Sequence, residues 1–160
     1  MTPSPLVVRE AVSNADWQTV RAIREAVFVD EQACPPEEEW DTYDAPEDRG
    51  HAVHHLLGTV DGAPAAAARW RTVEYAEAPA AKLERFAVLV PFRGGGRGRR
   101  LVEAALASAR GAGHTRFVMH AQAYLIGFYA SMGFEPVGER FDEAGIEHVK
   151  MALEDSERDG

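Results

Sequence analysis

Cysteine is nearly absent from this chain of 160 residues: Cys34 stands alone, which excludes an internal disulfide and a thiolate metal cluster. That usage fits a reducing compartment. Long apolar runs are missing too, since none approaches the ~20 residues of a membrane span. Residues 1–6 lack the basic start and apolar core of an export signal. The expectation is a cytoplasmic protein with no membrane partner. Neither an internal repeat nor a linker appears, so one domain is expected over residues 1–160, with its core at about 6–153 and a frayed tail at 154–160. Positive charge is scarce as well. The net charge of −9 argues against nucleic acid, which demands a broad basic face.

The average hides a segregation. Asp30, Glu31, Glu37, Glu38, Glu39, Asp41, Asp44, Glu47 and Asp48 follow one another with no intervening Lys or Arg. Between Arg85 and Arg100 the balance reverses, with Arg93, Arg97 and Arg99 and no acidic residue. An acidic protein thus keeps one concentrated anion-binding candidate. The acidic stretch, broken by Pro35, Pro36 and Pro46, reads as a solvated loop or short helix whose field would favour a cationic amine.

A hydrophobic content of 46% supports a real core. Residues 6–12 read as a strand, and Ser13 with Asp16 opens an amphipathic helix whose stripe is Val20, Ile23 and Val27. Asp61-Gly62 joins two β-prone runs as a hairpin. A strand at 82–90, a helix at 97–110, a short strand at 117–120, a helix at 124–132 and a terminal hairpin over 137–141 and 147–153 follow. The predicted fold is α+β, an α/β sandwich: a mixed, mostly antiparallel sheet of six to seven strands with helices on both faces.

The stretch Val88-Leu89-Val90-Pro91-Phe92-Arg93-Gly94-Gly95-Gly96-Arg97-Gly98-Arg99 joins a buried strand to a helix. Its glycines let backbone N–H groups turn inward, and the helix start adds partial positive charge, which suits phosphate oxygens. A Walker A loop needs Lys-Ser/Thr after its last glycine, where Arg99 and Arg100 stand. A dinucleotide fingerprint needs a third glycine where Leu101 stands, and the next strand ends in His120 rather than a carboxylate. What remains, Arg93-Gly94-Gly95-Gly96-Arg97-Gly98, resembles the acetyl-CoA loop of the GNAT N-acetyltransferase family. Downstream, Gln122 through Tyr129 to Gly133-Phe134 resembles the family's Asn-x6-Tyr-x3-Gly-Phe block, with Gln122 where Asn is usual. The ending Phe141-Asp142-Glu143-x-Gly145-Ile146-x-His148, with Phe28-x-x-Glu31-Gln32, is similar to the ElaA-like bacterial branch.

The resemblance implies acetyl transfer from acetyl-CoA, without a metal, to a primary amine of a small molecule or peptide. It implies that the loop amides hold the pyrophosphate, that main-chain groups of Val88, Leu89 and Val90 pair with the pantetheine arm, and that Gln122 and Phe128 complete the cofactor side. Tyr129 falls at the family's general-acid position, though its spacing also suits core packing. Two groups compete as base. Glu84, read as sharing a face with Phe86 and Val88, is the family-like candidate, and His120 at the next strand's end is the rival. The triplet His51, His54 and His55 lacks a third ligand on one strand face, so no metal site is assigned. A non-catalytic acetyl-CoA-binding regulator remains the alternative, and the oligomeric state, a homodimer included, stays open.

Overall fold

A computed structural model describes residues 3–155. Eight strands form one sheet in the order β1-β2-β3-β4-β5-β8-β6, with β7 on β8. They are β1 (Val7–Glu10), β2 (Val53–Val60), β3 (Ala63–Tyr75), β4 (Ala78–Val88), β5 (Arg116–Gln122), β6 (Glu135–Pro136), β7 (Phe141–Glu143) and β8 (Ile146–Glu154). Pairing is antiparallel everywhere except between β4 and β5.

Helices cover both faces, each through an apolar stripe. On one side α3 (Arg97–Gly111) and α4 (Ile126–Ala130) pack Leu101, Val102, Ala105, Leu106, Ala109 and Tyr129 against Trp70, Leu83, Phe117 and Met119. On the other, α1 (Asn14–Arg24) packs Trp17, Val20 and Ile23 against Leu57, Ala67 and Ala87. Small residues in β3 let helices approach the sheet from both sides, because Ala65 to Ala68 bury almost no side-chain volume. Ser13 caps α1 as its sequence predicts, its side chain accepting from the Asp16 amide at 3.1 Å.

The helix expected at 124–132 is reduced to a 3-10 turn, Ala123–Leu125, and the five residues of α4. The terminal hairpin is tighter than predicted: Ala144 and Gly145 both take positive φ, the two-residue turn that matches strand twist, so β7 pairs directly with β8. At the far end, β8 continues to Glu154 and Asp155 pairs with Arg110, so these two positions of the expected frayed tail are held; the rest, 156–160, lies outside the described residues. Among the described residues no helix is long and apolar enough to cross a membrane.

His55 is 1% exposed against Trp17, and its Nδ1 finds no hydrogen-bond partner among the described residues. Burial first, then Arg24, pushes its pKa down to about 4. The folded ring therefore resists a proton that the unfolded chain accepts near 6.5, so stability is full above that pH and falls as pH drops toward 4. By urea denaturation at pH 7 and pH 4.5, His55→Leu should lose about 2–3 kcal/mol less on acidification than the wild-type chain.

Candidate active site

The site begins with an irregularity in β4. Ala67 pairs with Ala87 and Arg69 with Glu84, so a single β3 residue opposes both Arg85 and Phe86. Arg85 absorbs this bulge at φ +58, a left-handed conformation that costs a non-glycine residue about 1 kcal/mol or more. The bulge reverses the strand's alternation. Leu83, Phe86 and Val88 pack against the α3 core, while Lys82 and Glu84 face the opposite side. The expectation that Glu84 shares a face with Phe86 and Val88 is thus corrected.

Next to the bulge the sheet opens. β4 and β5 pair only at Ala81 with Phe117 and Lys82 with Val118, and beyond Lys82 they part, while β5 stays on β8 as far as Gln122 opposite His148. A cavity of about 800 Å³ fills the gap. Val88, Arg93, Gly94, Gly98, Phe128 and Tyr129 line one part of it, and Lys82, Glu84, His120, Gln122, Glu143 and His148 line another.

In the glycine loop, Gly94, Gly95 and Gly96 take φ of +92, +65 and +77 in succession, leading into α3. Side chains disfavour such a run, which is why glycines fill it. Among the described residues, the amides of Gly94, Gly95, Gly96, Gly98 and Arg99 make no backbone hydrogen bond. They form a concavity of unused donors at the positive end of a helix dipole. The arginines around it are engaged elsewhere. Arg93 donates to the Val88 carbonyl at 2.8 Å and forks onto Glu31, Arg97 donates to the carbonyls of Ser4 and Phe92, and Arg99 reaches Ser131. Leu89 and Val90 lie outside the cavity wall: the Leu89 amide bonds Ala65 at 2.9 Å, and Val90 is exposed. Gly95, Gly96, Arg97 and Arg99 also lie outside that wall.

Tyr129 is buried among Phe86, Phe128 and Phe134 while still facing the cavity. Burial, with a smaller effect of Tyr124, pushes its phenol up to about 12, so it stays protonated throughout the physiological range.

Glu84 is locked. It accepts from Arg69 and, at 3.1 Å, from Arg71, and burial alone would raise its pKa, yet these arginines hold it below the ordinary value. His120 has a different setting. Its Nδ1 is 3.0 Å from Glu143 Oε1, and a carboxylate only accepts, so Nδ1 carries the hydrogen and the neutral ring keeps a lone pair on Nε2. The His120 hydrogen bond in turn holds Glu143 below the usual carboxylate range. Phe141 sets its ring against His120 at 5.0 Å and against His148 at 6.0 Å. His148 donates from Nδ1 to the Ile146 carbonyl at 2.7 Å and places Nε2 3.7 Å from Glu143. Sequence reasoning assigned Glu143 and His148 no role. Their signal was hairpin register, which a five-residue turn conceals and a two-residue turn reveals.

The acidic stretch is only partly a free surface. α2 (Pro36–Glu39) and two 3-10 turns fold it over the sheet. Arg24 binds Glu39 at 2.7 Å and Asp44 at 2.6 Å, Arg69 binds Asp41 and Asp44, and Arg85 approaches Glu39 and Asp41. The expected solvated loop or short helix is thus present, with Glu37, Glu38 and Glu47 exposed, while Glu39, Asp41 and Asp44 are tied down by arginines. Cys34 lies in the same wall, its thiol pushed up by burial and then by Glu39 and Glu38. Metal-ligating groups do not gather among the described residues.

An open sheet edge beside a helix start with unused amide donors is an arrangement suited to a ligand that carries phosphate on an extended arm. The family model of the acetyltransferase (GNAT) domain matches residues 25–155, and the chain belongs to that family. The Bacillus subtilis (strain 168) protein BSU40680 is 34% identical over 148 residues, covering 92% of this chain and 96% of its own. Escherichia coli ElaA superposes with a TM-score of 0.78 at 28% identity, over 93% of this chain and 99% of that one. A Brucella melitensis GNAT acetyltransferase solved with acetyl-CoA shares the fold, with a TM-score of 0.71 at 21% identity over 97% of this chain and 91% of that one.

Replacing Arg24, which is 1% exposed, with Met should take from Glu39 and Asp44 their shared buried cation and leave only the side contacts to Arg85 and Arg69. The expected cost in urea denaturation is about 3–5 kcal/mol.

Proposed function

We propose that this acetyltransferase moves the acetyl group of acetyl-CoA onto a primary amine by direct attack on the thioester. The observation that carries the reading is one cavity lined by Gly94 and Gly98 of the glycine loop, the open edge of β4, Tyr129 and the His120–Glu143 pair. The unused loop amides of Gly94, Gly95, Gly96, Gly98 and Arg99 hold the pyrophosphate. The arm lies along β4 beyond Lys82, where the Val88 carbonyl exchanges its Arg93 partner for an amide of the arm. The Brucella melitensis GNAT acetyltransferase, solved in complex with acetyl-CoA, supports the choice of ligand.

His120 is the base. Glu143 fixes its tautomer, and Nε2 takes the proton as the amine nitrogen bonds to the thioester carbon. The carbon–sulfur bond then breaks, and the Tyr129 hydroxyl donates a hydrogen bond to the departing thiolate while the amine's proton stays on His120. A phenol near 12 is a weak acid, so its contribution is a hydrogen bond that strengthens as charge grows on sulfur. Glu84, tied to Arg69 and Arg71, positions those arginines instead of moving protons.

Release of free thiol from acetyl-CoA, across amino acids, aminoglycosides, polyamines and short peptides, tests the reading. His120→Ala should lower kcat about 100-fold or more with the KM for acetyl-CoA unchanged, whereas Glu143→Gln should cost about tenfold. An His120→Ala enzyme within threefold of wild type would remove the base assignment. Tyr129→Phe should fall at least tenfold in kcat under saturating acetyl-CoA; full turnover would return Tyr129 to a packing role.

A further inference from the structure

Lys82 and Lys150 are the only lysines in the chain, which otherwise uses arginine for its cations. Arginine supplies the fixed forks of the buried network, whereas an ammonium on a flexible stem suits a ligand that comes and goes. Lys82 lies in the cavity wall with its side chain 19% exposed. Its ammonium makes no hydrogen bond among the described residues. The nearest carboxylate oxygen, Glu84 Oε1, is 3.8 Å away and already accepts from Arg71, while the other Glu84 oxygen accepts from Arg69.

The surrounding network leaves it no close partner of its own. Arg24, Arg69, Arg71 and Arg85 take up Glu39, Asp41, Asp44 and Glu84, and the remaining carboxylate, Glu143, is hydrogen-bonded to His120 and acts on Lys82 only through space. Arg71 is its direct cross-strand neighbour, so the repulsion is local. Burial pushes the Lys82 ammonium down, with Glu84 opposing the shift and Arg71 adding to it, and an anion held directly against the ammonium would relieve that burial penalty.

Position gives this charge a use. Lys82 pairs with Val118, and His120 stands two residues further along β5 on the same face. Strand spacing puts the two Cα atoms about 8 Å apart where pairing ends. Glu143, on the far side of His120, is within electrostatic reach of Lys82. One wall of the cavity thus offers an anion receptor and a carboxylate-backed base a few bond lengths apart.

We infer that the amine acceptor carries an acidic group, an amino acid or related zwitterion, whose carboxylate is held by the Lys82 ammonium while its amine meets His120. This rests on the proposed base and extends it to substrate class. A second ammonium on the acceptor, as in a diamine, would face Lys82 and be rejected.

The test measures thiol release with glycine, β-alanine, 4-aminobutyrate and 6-aminohexanoate, each against its carboxamide, and with the diamines of matching length, rates being referred to the free-amine fraction. At the best chain length the acid should exceed its carboxamide in kcat/KM by about tenfold to a hundredfold, mainly through KM. Lys82→Met should bring that ratio close to one, and Lys82→Arg should keep most of it. Carboxamides or diamines performing as well as the acids, or a preference that survives Lys82→Met, would overturn the inference. Thermal shifts of the CoA-bound His120→Ala protein with the same ligands separate it from the chemistry. A shift that depends on both the carboxylate and Lys82, without thiol release in the wild-type enzyme, would sustain the receptor and defeat the proposed base. A shift indifferent to the carboxylate would defeat the receptor alone.

Discussion

Everything at the site follows from β4 having a full partner on one side and almost none on the other. β3 pairs with it from Ala78 to Val88 on either side of the bulge, while β5 leaves it after Lys82. An unpaired backbone edge inside a protein is normally a liability, because each buried N–H and C=O needs a partner. Here the edge borders a cavity, and the Arg93 side chain occupies the Val88 carbonyl. The bulge at Arg85 acts in concert. It turns Phe86 and Val88 toward the α3 core and leaves Lys82 and Glu84 on the other side, so one strand serves two chemically different surfaces.

The same bulge explains the arrangement of charge. Arg85 reaches Glu39 and Asp41 from its left-handed position, and Arg69, two residues after Ala67 in β3, gathers Asp41, Asp44 and Glu84. Acidic and basic residues segregated along the chain are thereby interleaved in space. The net charge of −9 is carried mainly outside this network and says little about how charge is arranged around the cavity. Buried ion pairs add little net stability over apolar packing, but they fix geometry, since a displaced partner leaves a bare charge. They hold the wall formed by residues 30–48 in one place against the sheet.

Local signals made much of this legible. The Ser13 cap, the Asp61-Gly62 hairpin, the glycine loop and the apolar stripes of α1 and α3 all depend on neighbours a few residues away, and all appear in the structure. The candidate residues Gly94, Gly98, Phe128, Tyr129 and His120 were legible to the extent that they share one cavity. What escaped depends on register. A one-residue bulge reverses a strand face, which no pattern of residue types around Arg85 announces. Ala144-Gly145 makes a two-residue turn without the Asn-Gly or Asp-Gly pair that usually marks one, so Glu143 and His148 stayed hidden. The pairing of Arg24 with Glu39 and Asp44 joins distant segments of the chain and has no local trace.

Trp40 closes the acidic wall over α1, its ring 4.5 and 4.8 Å from the guanidinium groups of Arg21 and Arg24 and edge-on to Trp17 at 6.5 Å. Two indoles at that separation couple optically. Because Trp17 belongs to the rigid core and Trp40 to the wall, their shared near-ultraviolet dichroism is an internal gauge of whether the wall is seated. The protein carries its own spectroscopic reporter beside the cavity, readable without a label.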